Sequence, residues 1–301
     1  MIAKRRREFW ITFSSIPLQS TSTVLPFAEE RAIELVAKAG FDAWDFSMFK
    51  MVNYDWPNKR LLPCDHPLAS NDYQSFAKKL RKIGEDCGIH CNQSHAPFPT
   101  YHKGIQDYMK RAIECTAIAG GEICIVHPMN LNPFEENLEM YYELLPFAKE
   151  HGVKIATENM WDWNNERDEA SYSACSHHDE FKKYIETVND PYFVACLDLG
   201  HAEMKGLGTT AVEMIRALGA TGGLAALHVH DNDRWHDSHQ IPYSMDMDFG
   251  AITKALREVG YKGYCTLEAD AYLAAYKDDL FTGIQNLQKA ARRFCDDFEA
   301  K

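Results

Sequence analysis

Short apolar runs alternate with longer amphipathic segments along most of the chain. Runs rich in Val, Ile, Phe and Cys predict strands at residues 9–13, 43–46, 89–93, 123–126, 154–157, 193–197, 224–229 and 263–267. Apolar residues at helical spacing predict helices at residues 28–39, 72–87, 105–119, 138–151, 178–188, 210–218, 251–259 and 280–298. Glycines that can terminate helices in a left-handed conformation follow several of these segments; they are Gly40, Gly88, Gly120, Gly152, Gly219 and Gly260.

The strict alternation of strands and helices is typical of parallel βαβ units. Eight right-handed crossovers close into a (β/α)8 barrel, or TIM barrel, of about the length of this 301-residue chain. A doubly wound open sheet is the alternative fold, but it ordinarily gathers its ligands at a single switch point. Because no linker or composition shift divides the chain, we expect a single domain over residues 1–301, with residues 1–8 as a leader.

Six of the apolar runs stop on a residue type that binds metals. The residues at these endings are His95, His127, Glu158, Asp198, His228 and Glu268. In a parallel barrel the carboxyl ends of all strands meet at one mouth, where catalytic residues lie. Histidine nitrogen and carboxylate oxygen suit a divalent cation. The sequence therefore predicts a metal-dependent barrel enzyme.

Glu158 and Glu268 lie on strands three apart around a ring of eight, so they can face each other across the mouth. Two opposed carboxylates suit a reaction in which one removes a proton and the other returns one. His201 follows Asp198 by three residues and is either a second ligand or a donor to substrate oxygen. His230 shares a strand face with His228 because side chains alternate along a strand.

The longest irregular segments follow strand ends, at residues 47–68, 129–137, 161–176 and 231–248, and should form the walls of the site. The last of them holds Arg234, whose fork of donors suits a hydroxyl-rich or anionic substrate. It also holds Asp237 and His239, each of which is a ligand, a partner of a ligand or an ordinary loop residue. Phe98, Trp161 and Trp163 form apolar walls or simply pack their loops.

Composition narrows the function classes. The chain has 32 basic and 44 acidic residues, a net charge of −12, which argues against nucleic acid as a partner. Its nine cysteines form no Cys-x-x-Cys pair, which favours a reducing compartment such as the cytoplasm. No apolar stretch approaches the roughly 20 residues of a membrane span, and the basic start lacks the apolar region of a signal peptide.

The motifs SHAPF, VHP, TEN, LDLGH, HVHD, DSH and TLE together resemble those of the xylose isomerase-like barrels. That superfamily includes sugar isomerases, ketose 3-epimerases, hydroxypyruvate isomerase, inosose dehydratase and metal-dependent apurinic-site endonucleases. The resemblance to the epimerases implies one Mn²⁺ or Mg²⁺ held by residues that match Glu158, Asp198, His228 and Glu268. It also implies substrate contacts at His201 and Arg234. The chain departs from those epimerases at Asn164, where they carry a second Glu.

The resemblance to the endonucleases implies three zinc ions and a larger ligand set, which matches His95, His127, Glu158, Asp198, His201, His228, Asp237, His239 and Glu268. The acidic net charge argues against this branch. So does the absence of basic clusters in residues 129–137 and 161–176, where DNA phosphates would bind.

We therefore expect a metal-dependent isomerase or epimerase of a small polyhydroxy carbonyl compound, with Glu158 and Glu268 as acid and base through a cis-enediolate. Mn²⁺ is the expected cofactor, with Mg²⁺, Co²⁺ and Zn²⁺ as alternatives. His95, His127 and His230 join His201 and Arg234 as expected substrate contacts. A dehydratase, the endonuclease and a barrel that binds without turnover are the alternatives. We expect no membrane or nucleic-acid partner, and the sequence leaves open whether the chain is a homo-oligomer.

Overall fold

The computed structural model describes residues 11–14 and 28–300. Parallel strands form a closed barrel in which each strand pairs with its neighbours in sequence and the first pairs with the last. The barrel strands are β1 (Ile11–Ser14), β2 (Ala43–Ser47), β3 (His90–His95), β4 (Ile123–Ile125), β5 (Lys154–Glu158), β6 (Phe193–Asp198), β7 (Leu224–Val229) and β8 (Cys265–Leu267). The predicted TIM barrel is confirmed. The predicted leader, and residues 9 and 10 of the first strand, lie outside the described residues.

One long helix follows each strand and packs on the outside of the barrel. These helices are α1 (Ala28–Ala39), α2 (Tyr73–Asp86), α3 (Met109–Ala119), α4 (Phe134–Glu150), α5 (His178–Val188), α6 (Ala211–Thr221), α7 (Phe249–Glu258) and α8 (Leu280–Glu299). Helix α4 begins four residues earlier than predicted, directly after Pro133, with Glu135 and Glu136 favourably placed in its first turn. The predicted helix at residues 105–119 is divided into Lys103–Gln106 and α3.

The predicted end of α6 at residue 218 is wrong by three residues. Gly219 lies inside the helix, and Gly222, with a φ of 72°, takes the left-handed position after it. A Cβ on Gly219 would approach Val259 to 2.5 Å. Gly219 therefore permits close packing of α6 on the end of α7, a role that a sequence pattern does not distinguish from helix termination.

The wall-forming segments contain more regular structure than their sequences predict. Residues 47–68 include the hairpin of Asn53–Asp55 with Arg60–Leu62, and residues 161–176 include that of Asp162–Asn164 with Glu169–Ser171. Short helices at Phe49–Met51, Pro67–Ala69, Leu199–Glu203 and Ala271–Tyr276 complete the described elements. Among the residues described, no helix is both long and apolar enough to cross a bilayer. The nine cysteines are free thiols.

Two apolar clusters position the site. The larger one fills the space between the sheet and the outer helices. The smaller one consists of Ile125, Ala156, Val194, Cys196 and Ala226. Since side chains alternate along a strand, Glu158 shares a face with Ala156 of this smaller cluster, and His228 shares one with Ala226. The smaller apolar cluster thus lies directly beneath the polar residues at the carboxyl ends of the strands.

Candidate active site

The predicted strand-end residues meet at the carboxyl-terminal mouth of the barrel. His95, Glu158 and Asp198 are the last residues of β3, β5 and β6. His228 is the penultimate residue of β7, and Glu268 directly follows β8. All five side chains are buried, and the most accessible of them, Glu268, is 7% exposed. The short, parallel strands therefore deliver these side chains to one place.

Two glutamates and three histidines form what we call the glutamate cluster. The Nδ1 atom of His228 lies 3.0 Å from Glu158 Oε1 and 2.9 Å from Glu268 Oε2. The other carboxylate oxygen of Glu158 lies 3.2 Å from His127 Nε2 and 3.5 Å from His95 Nε2. Glu158 is thus the central residue of the cluster, with a histidine contact on each of its two oxygens.

A second group, which we call the loop cluster, comprises His201, His230, Asp237 and His239. One ligand atom from each residue lies within 4.8 Å of the others. Asp237 Oδ2 is 3.3 Å from His201 Nε2, and Asp237 Oδ1 is 3.1 Å from His239 Nε2. The rings of His230 and His239 stack with their centroids 4.2 Å apart. The structure therefore brings Asp237 and His239, whose role the sequence left open, to a group that could hold a metal.

Asp198 contacts the loop cluster and pairs in strand register with His228 of the glutamate cluster. Its Oδ1 atom accepts the backbone N–H of His201 at 2.7 Å and lies 3.1 Å from His230 Nε2. Asn159 fixes the strand end, donating to the Asp198 carbonyl at 2.9 Å and accepting its N–H at 2.8 Å. A Cβ on Gly200 would come within 2.0 Å of the His230 ring, so the close approach of this histidine depends on glycine.

The donor set fits a bound divalent cation. Within the described part of the chain, Asp198 Oδ2 is buried without a hydrogen-bond partner. Burying a carboxylate oxygen is costly unless a donor or a cation compensates it. Carboxylates and imidazoles also form several overlapping groups that could hold a metal ion, and Glu158, His228 and Glu268 are among their members. Such mixed oxygen and nitrogen sites suit Mn²⁺, Mg²⁺, Co²⁺ or Zn²⁺.

Electrostatics keep both glutamates ionised. Burial alone would raise the pKa of Glu158, but the charge of His228 and hydrogen bonds from His127, His228 and His95 hold it well below its usual value. Burial also opposes ionisation of Glu268, whereas His228 and His239 lower its pKa to about 2. Both side chains are therefore carboxylates at neutral pH and can accept a proton.

The loop cluster is held together by charge. Burial would lower the pKa of His201, but the carboxylates of Asp198 and Asp237 raise it to about 10. Burial would raise the pKa of Asp237, but His201 and His239 hold it well below its usual value. Because a metal ion binds neutral imidazole, binding at this cluster would release protons.

Two predicted substrate contacts pair with carboxylates of the protein. Arg234 has a left-handed backbone with a φ of 61°, and its Nη2 atom pairs with Glu203 Oε2 at 3.0 Å. His230 is fully buried between the carboxylates of Asp198 and Asp237. Neither residue is among those that line the cavity, so their positions do not support direct contact with a substrate. His95, His127 and His201 do line it.

Asp45 and Gln93 belong to the site but were missed in the sequence. Asp45 is fully buried in β2, and its Oδ2 atom accepts a hydrogen bond from Gln93 Nε2 at 2.9 Å. The same oxygen lies 3.9 Å from His228 Nε2, on the side of the ring opposite the glutamates. Burial raises the pKa of Asp45, although His228 and His95 oppose this. An acidic residue between Trp44 and Phe46 in an apolar run was the available signal.

A cavity of about 550 Å³ opens above the glutamate cluster. Its base contains Glu158 and Glu268 with His95, His127 and His201. Aromatic side chains form much of its outer wall, and Phe98 and Trp161 are among them. The predicted walls at residues 47–68 and 161–176 therefore do line the cavity, whereas Trp163 packs against Trp161 behind the wall.

Comparison with known proteins agrees with the fold. The profile of the xylose isomerase-like TIM barrel family matches residues 33–293. The uncharacterized protein MJ1311 of Methanocaldococcus jannaschii is 23% identical over 269 residues, 83% of this chain and 82% of that protein. A D-tagatose 3-epimerase-like protein has a TM-score of 0.68 at 18% identity, covering 96% of this chain and 98% of its own. A D-psicose 3-epimerase crystallised with D-fructose has a TM-score of 0.66 at 14% identity, covering 95% and 99%.

The fold and the site define a (β/α)8 barrel with a carboxylate and histidine centre at its carboxyl-terminal mouth. The chain belongs to the xylose isomerase-like TIM barrel family, because the family profile covers most of its length. The membership of this family that the strand-end motifs predict is thereby confirmed. At these identities the solved structures show the shared fold, and the reaction has to be inferred from the site.

Proposed function

We propose that this chain is a divalent-metal-dependent isomerase or epimerase of a small polyhydroxy carbonyl compound. The observation that carries the proposal is the placement of Glu158 and Glu268. Both carboxylates approach the same nitrogen of His228, at 3.0 and 2.9 Å, and both line the cavity. The similarity in fold to a D-tagatose 3-epimerase-like protein and to a D-psicose 3-epimerase supports it.

In this proposal the cation is held by Glu158, Asp198, His228 and Glu268. We propose Mn²⁺ as the cation, with Mg²⁺, Co²⁺ and Zn²⁺ as alternatives. When bound, the cation supplies Lewis-acid polarisation of a carbonyl oxygen and its neighbouring hydroxyl. The buried Asp198 Oδ2 atom, which lacks a hydrogen-bond partner among the described residues, is the strongest local indication of a ligand position.

The chain's own residues move the proton. One of Glu158 and Glu268 removes the proton α to the carbonyl, and one of them returns it to the resulting cis-enediolate. Because both carboxylates are held ionised, either can act first as the base. His95, His127 and His201 line the cavity and orient the hydroxyl groups of the substrate. Burial of the cluster excludes water from the proton that is transferred.

A dehydratase of the same family is the closest alternative, since it begins with the same proton abstraction and then expels hydroxide. The apurinic-site endonuclease is favoured by a specific observation, namely the loop cluster beside the glutamate cluster. A nuclease, however, must bind a phosphate backbone. No Lys or Arg is among the described residues that line the cavity, and the chain carries a net charge of −12. We therefore favour the sugar reaction.

Exchange of substrate protons with solvent tests the proposal. Mn²⁺-loaded protein is incubated with a panel of ketoses in deuterated water, and loss of an α-proton signal is followed by NMR. Exchange with at least one ketose is expected. Glu268→Gln should reduce the exchange rate by about 10²- to 10⁴-fold, because it removes one member of the acid and base pair. Metal content is measured for each protein to separate lost chemistry from lost metal.

Glu143→Gln is the matched control, because Glu143 is 76% exposed on the outer helix α4. It should exchange protons at the wild-type rate. Absence of exchange with every ketose would contradict the isomerase, and formation of a product that has lost one water molecule would identify the dehydratase. Cleavage of apurinic-site DNA by zinc-loaded protein would instead favour the endonuclease.

A further inference from the structure

An aromatic surface extends from the glutamate cluster to the mouth of the cavity. We call it the aromatic wall and define it as Phe49, Trp56, Phe98 and Tyr101, all of which line the cavity. The ring centroids of Phe49 and Phe98 are 4.6 Å apart, and those of Trp56 and Phe98 are 5.9 Å apart. Separate segments after β2 and β3 supply these side chains, so they meet only in the folded barrel.

The wall begins at the proposed reaction centre. Phe98 stacks on His127 with centroids 4.9 Å apart, and Phe49 meets His95 edge-on at 4.8 Å. It ends in solvent, where Trp56 is 53% exposed and Tyr101 is 42% exposed. Large aromatic surfaces left exposed beside a cavity are typical of a binding site.

The outer end of the wall is held in place before any ligand binds. Trp56 lies in the turn of the hairpin formed by Asn53–Asp55 and Arg60–Leu62. The carboxylate of Asp55 fixes this turn by accepting hydrogen bonds from the Asn58 side chain at 2.8 Å and from Arg60 Nε at 3.2 Å. A positioned indole loses little conformational entropy when a ring stacks on it.

The cavity is larger than a single sugar requires. Pockets of about 300–1,000 Å³ bury drug-sized ligands, whereas a hexose has only about twelve non-hydrogen atoms. At about 550 Å³ the cavity has room for a second ring beyond the one that the glutamate cluster would process. The aromatic wall connects the position of the first ring, at the glutamate cluster, with the space for the second ring near Trp56.

The chemistry of the lining favours a neutral sugar as that second ring. Asn130, Asp162 and Asp270 line the cavity together with the aromatic wall. Aromatic faces bind the C–H face of a pyranose, and amide or carboxylate oxygens accept hydrogen bonds from its hydroxyl groups. The described lining residues include no lysine or arginine, and five carboxylates line the cavity beside four histidines, so the lining favours a neutral ring over a phosphate group.

We propose that the substrate is a neutral glycosyl ketose, whose ketose unit lies at Glu158 and Glu268 and whose glycosyl ring stacks on Trp56. The assignment of the ketose unit rests on the proposed isomerase function. The stacking of the second ring rests independently on the aromatic wall and on the size of the cavity.

The probes are D-fructose, D-fructose 6-phosphate, and the glycosyl fructoses lactulose, turanose and isomaltulose, which carry a second ring on different hydroxyls. Mn²⁺-loaded wild-type protein, Trp56→Ala, Trp56→Phe and Tyr142→Ala are compared by α-proton exchange in deuterated water and by calorimetric binding. Tyr142 is a matched control, because it is 48% exposed on α4 and is not among the residues that line the cavity.

At least one glycosyl fructose should exceed D-fructose about tenfold in affinity and in kcat/KM for exchange. Trp56→Ala should lower both values for that sugar about tenfold more than it lowers them for D-fructose. Trp56→Phe should restore part of the preference because it keeps an aromatic face, and Tyr142→Ala should leave the preference unchanged.

Several results would overturn the proposal. One is equal affinity of the wild type for D-fructose and every glycosyl fructose, or no binding of any probe. Another is a loss of affinity in Trp56→Ala that is equal for all sugars. A third is tighter binding of D-fructose 6-phosphate than of any glycosyl fructose. Trp56-dependent binding of a glycosyl fructose without proton exchange would uphold this subsite while contradicting the proposed isomerase function.

Discussion

At the scale of single residues, Asp45 has the clearest testable role. Its carboxylate faces the Nε2 side of His228, while the Nδ1 side faces both glutamates. The separation of 3.9 Å between Asp45 Oδ2 and His228 Nε2 is too long for a hydrogen bond, so Asp45 acts through Gln93, whose Nε2 atom donates to Asp45 and lies 3.3 Å from His228 Nε2. Loss of a partner that orients a metal-binding imidazole typically weakens metal affinity 10- to 100-fold. We therefore expect Asp45→Asn to lower the affinity for Mn²⁺ by about this factor, as measured by competition with a chelator.

Asp86→Asn provides the comparison, because Asp86 is 61% exposed at the end of α2 and pairs with Lys82. It should bind Mn²⁺ as the wild type does. Equal affinity of the wild type and a correctly folded Asp45→Asn protein would mean that Asp45 does not support His228.

The contrast between Asp45 and the residues that were predicted has a physical cause. Glu158 and Glu268 stood out because each terminates an apolar run, and the ends of barrel strands share one mouth. Asp45 lies within its strand, and its importance depends on contact with a side chain from β7, on a distant part of the sequence. Arg234 shows the opposite case, because neither its donors nor the resemblance to the epimerases reveals that its side chain pairs with Glu203.

At the scale of elements, Glu29 attaches the first helix to the segment that carries the aromatic wall. It is 4% exposed in the first turn of α1 and lies 3.2 Å from Lys50 Nζ and 3.3 Å from His66 Nε2. Burial alone would raise the pKa of Glu29, but a hydrogen bond from His66 and the charge of Lys50 lower it from 4.5 to about 2. The folded state therefore binds this proton more weakly than the unfolded chain does.

A depressed pKa in the folded state contributes stability above pH 4.5 that is lost as the pH falls towards 2. Glu29→Gln should therefore lower the free energy of unfolding near neutral pH, by at most about 3 kcal/mol, and the difference should shrink below pH 4.5. Urea unfolding at a series of pH values measures this difference. A difference that stays constant from pH 7 to pH 3 would show that Glu29 acts through packing alone.

The elements that could be predicted from the sequence are those long enough for their apolar residues to recur at a regular spacing. All eight outer helices were predicted, and each described barrel strand overlaps a predicted one. The hairpins at Asn53–Leu62 and Asp162–Ser171 could not be predicted, because their strands have three residues each and are rich in polar side chains. Short strands are defined by bonds to a partner rather than by a repeating pattern.

At the scale of the whole molecule, the barrel concentrates buried charge at one end. Glu158, Asp198, Asp237 and Glu268 come from three strand ends and one loop, yet they all lie around one mouth. Each of these side chains has one or more histidine contacts. The barrel fold thus gathers buried carboxylates whose charge these histidines compensate, and a bound cation would take over that role. The sequence predicted the convergence of these residues but not whether they form one cation site or more.

Removal of metal should therefore destabilise the whole barrel, because the cation binds the folded state and not the dispersed ligands of the unfolded chain. At a free concentration 100 times its Kd, one cation adds about 2.7 kcal/mol to the free energy of unfolding. Dialysis against a chelator should lower Tm by several degrees, and added Mn²⁺ should restore it. Elemental analysis of the same samples gives the number of ions bound per chain.

Asp237→Asn separates one site from two, because Asp237 forms ion pairs with the three histidines of the loop cluster. If the loop cluster binds its own ion, the variant should lose one equivalent of metal and keep the rest. If only the glutamate cluster is occupied, stoichiometry and the Mn²⁺-dependent gain in Tm should match those of the wild type. An unchanged Tm after complete metal removal would contradict a cation site in the barrel mouth, because any ion that binds the folded state selectively must raise stability.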